Sequence, residues 1–475
     1  MLVAGVLLAT LGCAMMIPAL YDLAVGNDDW QIFAFSSTIT LFVGIGLAFA
    51  NRGRTENFTI KQAFLLTNVA WISLTAFGAL PFAWSALEIS YTDAFFESMS
   101  GITTTGATIL TGLDKAPPGI LLWRALLQWL GGLGIIVMAI SLLPILQIGG
   151  MQLFRVEGFE TDGKFMPRAT EIAGSLTTLY ISITGVCALA YHLAGMTVFD
   201  AVVHSMTTIA TGGFSSHDAS IAYFSNDLIE VLCIIFMCAG SLPFVLFLKR
   251  MRGGRGAIFA DSQVRWFFGT LAIFTLLALM AYQPTQPEPL IPRLITVVFN
   301  VVSIMTGTGY ATTAYDTWSS MAVVVFFVLM FIGGCSGSTS CGIKIFRFQV
   351  IFEMIRCRLY AVLYPKGVFI ERYNNAPIAD TVMSAVMGFF FLFMLCFAVI
   401  ATLLSLIGLD IVTALSAAAS AVANVGPGLG QIVGPVGNYS ELPDSAKWVL
   451  SFGMLLGRLE IFTVIVLFTP AYWRS

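Results

Sequence analysis

The chain has 475 residues, of which 58% are hydrophobic and only 10% charged, with a formal net charge of −3 and a mean hydropathy of +0.89. That composition excludes a water-soluble globule. Stretches such as "MAVVVFFVLMFI" from Met321 to Ile332 lack the alternation of a transmembrane β-barrel, which leaves an all-α integral membrane protein.

Apolar runs long enough to cross ~30 Å of hydrocarbon predict about ten transmembrane helices, at about 2–21, 30–50, 62–87, 118–146, 170–195, 222–248, 266–283, 318–347, 379–407 and 446–472. "LLATLGC" near the start resembles a lipoprotein signal, but no Lys or Arg precedes Arg52, and the run reads as a first transmembrane helix. The basic residues fall mainly on alternate connections. Arg52, Arg54 and Lys61 share the first; Arg155, Lys164 and Arg168 the next; then Lys249, Arg250, Arg252, Arg255 and Arg265; then Lys344, Arg347, Arg356, Arg358, Lys366 and Arg372; finally Arg474. The positive-inside rule makes that face cytoplasmic and puts both termini there. The other face carries acids, among them Asp22, Asp28, Asp29, Asp93, Asp114, Asp200, Asp218, Glu288, Asp316 and Asp410. They either concentrate cations at an outer mouth or keep the loops soluble. The eight Cys have no metal-ligand spacing and read as reduced core thiols.

From residue 62 onward one plan recurs four times: an apolar segment of about a dozen residues, too short to span, then a Thr- and Gly-rich turn. The copies are "DAFFESMSGITTTGATIL" from Asp93, "DAVVHSMTTIATGGFSS" from Asp200, "LITVVFNVVSIMTGTGYAT" from Leu294 and "DIVTALSAAASAVANVGPGLG" from Asp410. Aligned on "TTGAT", "ATGGF", "GTGYA" and "NVGPG", they bring Gly106, Gly212, Gly309 and Gly426 into register. Asp93, Asp200 and Asp410 stand where N-caps belong, with Pro292 near the third helix start. The repeats divide the chain into two extra helices (1–55), then units 56–160, 161–260, 261–372 and 373–475. Each unit begins and ends on the same side, so the repeats are parallel and fit around an axis along the membrane normal.

Non-helical backbone at membrane depth survives only inside protein or beside water. Four such turns around one axis predict a pore whose inward carbonyls replace the hydration shell of an alkali cation. The candidate ion ligands are Thr104, Thr105, Gly106; Ala210, Thr211, Gly212; Gly307, Thr308, Gly309; and Asn424, Val425, Gly426. The short helices would aim their partially negative C-termini at the pore centre. Glu97 and His204, within two of those helices, read as structural.

A second feature is the small polar run from Gly333 to Gly342, directly after an apolar segment too short to span. It predicts a helix broken inside the membrane, either a gate below the turns or a packing kink. Gly334, Cys335, Ser336, Gly337, Ser338 and Thr339 form the candidate gate with Arg458, which falls in the middle of the last apolar run. An intramembrane charge costs roughly 2.5–3.5 kcal/mol on insertion scales and is usually functional. Arg458 either latches the loop through its carbonyls or sits in a structural ion pair. Glu460, two positions on and so on a nearly opposite helix face, needs a partner of its own. Lys344 and Arg347 read as ordinary positive-inside residues. No metalloprotease or paired-aspartate motif is present, so the chain reads as no enzyme. A coupled carrier on the same scaffold is the alternative to channel-like conduction.

With four turns, "GGCSGSTSCGIKIFR" (Gly333 to Arg347) and "GRLEIFTVIVLFTP" (Gly457 to Pro470) in hand, the whole chain resembles the TrkH family of bacterial potassium-uptake proteins, grouped with KtrB and the plant HKT transporters. The resemblance implies K+ coordinated at the filter residues, a gating loop in the third repeat and a homodimer in the bacterial inner membrane. It also implies a cytoplasmic nucleotide-binding TrkA-type ring that controls opening. Gly106, where some relatives have Ser and favour sodium, then points to potassium. Cys335 and Cys341 depart from a loop often richer in Ala or Gly. The basic connections of 249–265 and 344–372 would dock the ring or anionic lipids; membrane lipids are expected partners, and no nucleic acid is.

Overall fold

Two apolar helices, α1 (Leu2–Val25) and α2 (Trp30–Ala50), pack as a hairpin in the computed structural model, which describes residues 1–52, 59–141, 169–251, 253–254, 257–284, 289–374 and 376–474. Gly26 at φ 80° ends α1, and the Ser37 hydroxyl donates to the Gly12 carbonyl at 2.7 Å to pin the pair. Buried Asp22 accepts the Gly119 N–H at 2.7 Å and ties the hairpin to the rest.

Four units follow. The first holds α3 (Ile60–Gly78), α4 (Leu80–Trp84), the short α5 (Tyr91–Ile102) and α6 (Pro118–Ser141). The second holds α7 (Ala169–Leu193), the short α8 (Val198–Ile209), α9 (Asp227–Ser241) and α10 (Phe244–Met251). In the third, α11 (Ser262–Ala281) precedes the short α12 (Leu290–Met305), α13 (Ser320–Met330) and α14 (Ile345–Leu363). An antiparallel pair, β1 (Arg372–Tyr373) with β2 (Ala376–Pro377), leads to the fourth unit. There α15 (Asp380–Ile407), the short α16 (Ile411–Ala423), α17 (Asp444–Arg458) and α18 (Phe462–Ile465) are followed by the one-turn α19 (Pro470–Trp473).

Among the described residues, seven helices are long and apolar enough to cross a membrane, or nine if each of two bent pairs is one span. The expected spans at 222–248 and 446–472 are the bent pairs, turning by 93° between α9 and α10 and by 110° between α17 and the segment from Phe462 to Phe468. The expected segment 318–347 is α13 and the start of α14 with a non-helical break between them. The fourth expected helix, 118–146, is helical through Ser141; its remainder lies outside the described residues, as do Arg54, Arg155, Lys164, Arg168, Arg252, Arg255 and Glu288.

The short helices have 12, 12, 16 and 13 residues, about 18–24 Å at 1.5 Å per residue, and sit inside the molecule. Their N-termini are satisfied locally, although not as the sequence suggests. Ser90 and Thr197 are the N-caps of α5 and α8, each accepting the N–H of the Asp three residues on at 3.1 Å. Asp93 and Asp200 accept those hydroxyls in return, at 2.9 and 2.6 Å. The hydroxyl cap lies one turn earlier because the carboxylate gains more in the first turn, near the positive helix end. Asp410 is the N-cap of α16, as expected, and accepts the Thr413 N–H at 3.1 Å. Pro289 is the N-cap of α12, and Pro292, expected near the helix start, lies in its first turn. Around this core α15 turns much of its surface outward, with Phe391, Leu395 and Leu406 exposed, which in an apolar helix is a lipid-facing wall.

Candidate functional site

At the end of each short helix the chain turns in the same way. Thr105, Gly212, Thr308 and Val425 donate their N–H groups to carbonyls five residues back, those of Ser100, Thr207, Ser303 and Ser420, at 2.8–3.0 Å. This closes each helix C-terminus as a Schellman-type cap. The residue before, Thr104, Thr211, Gly307 or Asn424, has φ between 50° and 72°; the residue after, Gly106, Gly213, Gly309 or Gly426, has φ between 77° and 106°. Left-handed backbone on both sides of one residue is what glycine permits most cheaply.

The four turns meet in a closed ring. A Cβ on Gly106 would stand 2.2 Å from the Gly212 carbonyl oxygen, one on Gly213 1.8 Å from that of Thr308, one on Gly309 2.2 Å from that of Val425, and one on Gly426 2.7 Å from that of Thr105. Each repeat's glycine thus abuts the next repeat's carbonyl, and the fourth returns to the first. In the second repeat the equivalent glycine is Gly213. The sequence expectation of Gly212 in register is off by one, and Ala210 is the C-cap of α8, one step short of the turn. Both glycines of the doublet fit the spacing, and only backbone angles separate them. The hydroxyl residues Ser100, Thr207, Ser303 and Ser420 stand five positions before the bonded N–H in all four repeats, a match visible only once the folded turns are compared.

Behind the ring, each short helix props the chain that leaves its turn. Glu97 accepts from the Thr108 hydroxyl at 3.0 Å, the Ile109 N–H at 2.9 Å and Arg124 Nε at 2.8 Å. His204 pairs through Nε2 with the Ser215 hydroxyl at 3.0 Å and through Nδ1 with the Asp200 carbonyl at 2.8 Å. Asn300 donates to the Thr312 hydroxyl at 2.8 Å. In the fourth repeat Ser416 donates to the Leu429 carbonyl at 3.1 Å. Seams between repeats are bonded too: Asn424 donates to the Thr105 hydroxyl at 2.8 Å, and the Tyr310 hydroxyl to the His204 carbonyl at 3.2 Å.

Outside the ring lies an open vestibule lined by Gly106, Gly213, Gly309 and Gly426 together with His217 and Asp218. Several acids of this face are structural, not free: Asp93 pairs with Lys447 at 2.5 Å, and Asp316 accepts the Gly430 N–H at 3.0 Å. His217 stands 2.6 Å from Asp114 and 3.3 Å from Asp200, stacked on Tyr223. Burial draws its pKa down, but the two carboxylates outweigh this and hold it above the ordinary histidine range.

On the other side of the ring lies the broken helix. Its neck is closed by Gly333 N–H to the Ile343 carbonyl at 2.9 Å and Ile343 N–H to the Phe331 carbonyl at 3.1 Å. The sharp bend between α9 and α10 frees the carbonyls of Gly240 and Ser241, and the loop satisfies them: Cys335 N–H reaches Ser241 at 3.0 Å and Thr339 N–H reaches Gly240 at 3.2 Å. The loop touches the turns directly, with Thr339 Oγ1 3.3 Å from Thr211 Oγ1 and Cys341 Sγ 3.9 Å from Thr104 Oγ1. Of the expected gate residues, Gly334 accepts the Ile345 N–H at 3.1 Å and Gly337 the Phe244 N–H at 3.0 Å. Ser336 takes Gln263 Oε1 at 2.9 Å, and the Ser338 hydroxyl caps the Cys335 carbonyl at 2.6 Å.

Arg458, 2% exposed, reaches this loop from the end of α17. It donates to the Thr339 carbonyl at 3.3 Å, to Cys341 Sγ at 2.6 Å and to the Gly131 carbonyl at 2.9 Å. Its loop contacts are therefore Thr339 and Cys341. Glu460 finds the separate partner it was expected to need in Arg347, at 2.5 Å. This corrects the reading of Lys344 and Arg347 as ordinary flanking residues. Arg347 is fully buried, with its guanidinium 3.6 Å from the Phe389 ring centroid. Lys344 is buried as well and donates to the Ser340 carbonyl. The pair brackets a kink at which Glu460 has φ 60° and Ile461 φ 26°. A β-branched residue there is strained by about 1–3 kcal/mol, the kind of strain that clusters at switch regions.

Residues 30–475 match the family model TrkH, described as a cation transport protein. The chain is 46% identical over 474 residues to the Trk system potassium uptake protein TrkI of Halomonas elongata, covering 100% of this chain and 96% of that one. It is 37% identical over 480 residues to the Trk system potassium uptake protein TrkH of Escherichia coli, covering 100% and 98%. The crystal structure of the potassium transporter TrkH from Vibrio parahaemolyticus superposes with a TM-score of 0.90 at 37% identity, covering 99% of this chain and 98% of that one.

Proposed function

The chain belongs to the TrkH family of cation transport proteins, and on that premise we propose that it carries potassium across the bacterial inner membrane as the conducting subunit of a Trk-type uptake system. It is a transporter, not an enzyme. The observation that carries this reading is the closed ring of four left-handed turns, whose carbonyls at Thr105, Gly212, Thr308 and Val425 lie side by side between an outer vestibule and a plugged inner half. K+ is the cargo, held by backbone oxygens in place of its water, and the units 56–160, 161–260, 261–372 and 373–475 each supply one turn, with 1–55 as an added hairpin. The loop from Gly333 to Gly342 closes the path from the inner side, with Arg458 as its latch and a positive charge in the route of a cation. Both termini lie in the cytoplasm, the functional unit is a homodimer in lipid, and a nucleotide-binding TrkA-type ring on the basic face moves the loop.

Rubidium uptake into proteoliposomes holding the purified chain, without a proton or sodium gradient, tests this. Uptake driven by the rubidium gradient alone, and blocked far better by potassium than by sodium, is the expected result. Uptake only with an imposed proton or sodium gradient would replace conduction by coupled symport on the same scaffold. Equal block by sodium would remove the filter reading.

A further inference from the structure

The ring of carbonyls is fourfold in its backbone but not in its hydrogen bonding. Among the described residues, the carbonyl oxygens of Thr105, Thr308 and Val425 accept no hydrogen bond, whereas that of Gly212 accepts one from Gln128 Nε2 at 2.6 Å. Gln128 is fully buried in α6. Its other end is held as well, since Gln128 Oε1 accepts the Phe214 N–H at 3.1 Å. One turn earlier on the same helix, Arg124 donates to the Ser215 carbonyl at 2.7 Å and lies 4.1 Å from the centroid of the Phe214 ring. The second repeat's turn is thus clamped by a side chain of the first.

The sequence around the clamp is matched to it. Gly212 stands where the other repeats have Thr105, Thr308 and Val425, and its φ is not left-handed, so backbone freedom is not what requires glycine. Space is: a Cβ there would lie 2.4 Å from Gln128 Cδ. The glutamine is equally particular to this seam. Gly131, Gly240 and Gly457 mark one level of the inner helices, each facing the carbonyl of its own short helix at Ile102, Ile209 or Val422. Three residues before them stand Gln128, Met237 and Met454. Among the described residues, the atoms nearest a Cβ on Gly212 are those of Gln128.

We propose that Gln128 is a specificity-determining positioning residue, holding one of the four ring carbonyls at a fixed angle and reduced field while the other three stay free. The proposal rests on the filter reading above. Discrimination between alkali cations depends on how many carbonyl dipoles surround the ion and how strong a field they present. An amide that occupies one lone pair of the Gly212 oxygen limits both its field and its travel toward a smaller ion. With that tether removed, the carbonyl closes on sodium more readily.

The test uses the full chain in proteoliposomes, with rubidium uptake competed by potassium and by sodium. In Gln128→Met, which installs the residue of repeats 2 and 4, the ratio of half-blocking sodium to half-blocking potassium concentration falls about tenfold, the change in an equilibrium that one net hydrogen bond carries. Gln128→Leu, also without a donor, gives the same fall and serves where the methionine variant does not fold. An unaltered ratio in a folded variant of either kind overturns the proposal. Gly309→Ala in the same assay tests the filter alone: uptake and selectivity that both survive it sink the filter reading, whereas their loss there with selectivity kept in Gln128→Met leaves the filter standing and removes the role of Gln128.

Discussion

The two halves of this molecule treat their fourfold repeat in opposite ways. In the outer half, four turns of different sequence adopt one backbone, with the same five-residue cap and the same pair of left-handed positions. In the inner half the repeats diverge: the second and fourth bend by 93° and 110°, the third alone among the described residues opens into the loop from Gly333 to Gly342, and Arg458 of the fourth meets that loop. On the proposed function, repetition persists where backbone carbonyls are the working groups and is abandoned where the passage is to be closed, since one loop can fill an axial space that four copies would contest.

The largest effect expected from this contrast lies in the inner half. Arg347→Met leaves Glu460 without its partner and should lower stability by about 3–5 kcal/mol, the usual consequence of breaking a buried pair from one side. Thermal unfolding in detergent, set beside the double variant R347M/E460M, reads it, and the double variant should lose less. A pair that can be halved without loss would mean the kink at Glu460 and Ile461 is held by something else.

Next comes the equivalence of the outer turns. Gly213→Ala places a Cβ on left-handed backbone 1.8 Å from the Thr308 carbonyl, and rubidium uptake should fall about a hundredfold, as a cost of two to three kcal/mol implies. Gly309→Ala should behave alike. Tolerance of alanine at Gly213 would break the fourfold ring.

Arg458→Ala sharpens the other side of the comparison. With the bonds to Thr339 and Cys341 gone, flux at equal expression should rise severalfold, as the loss of one or two net hydrogen bonds allows. Flux no higher than wild type would remove the latch.

The smallest effect concerns His217 at the vestibule. Its pKa is raised in the folded protein, so its contribution to stability is complete below the ordinary histidine value of about 6.5 and is lost as pH rises through the raised value. The groups facing it are Asp114, Asp200, His204 and Tyr223. The difference in melting temperature between wild type and His217→Asn should therefore shrink from acid to alkaline pH; a difference independent of pH would rule out this titration.

Much of the site was legible in the chain. The short apolar segments, the glycine turns and the run from Gly333 to Gly342 announced themselves because apolar length and glycine content are local properties. The register of the second repeat was not legible, since "GG" satisfies the spacing at either residue. Nor was the role of Arg347, which looks like any basic residue flanking a span until α15 brings Phe389 against it and Glu460 arrives from over a hundred residues away.

The sequence by itself determined that this chain is a helical membrane protein built on four parallel units with exposed backbone at their centre, because hydropathy and turn chemistry act over a few residues. Only the tertiary structure decided which glycine enters the ring, which carbonyl Gln128 holds, and which loop atoms Arg458 meets. Those are contacts between segments far apart in the chain, and a buried polar group takes whichever partner the packing of other helices presents to it.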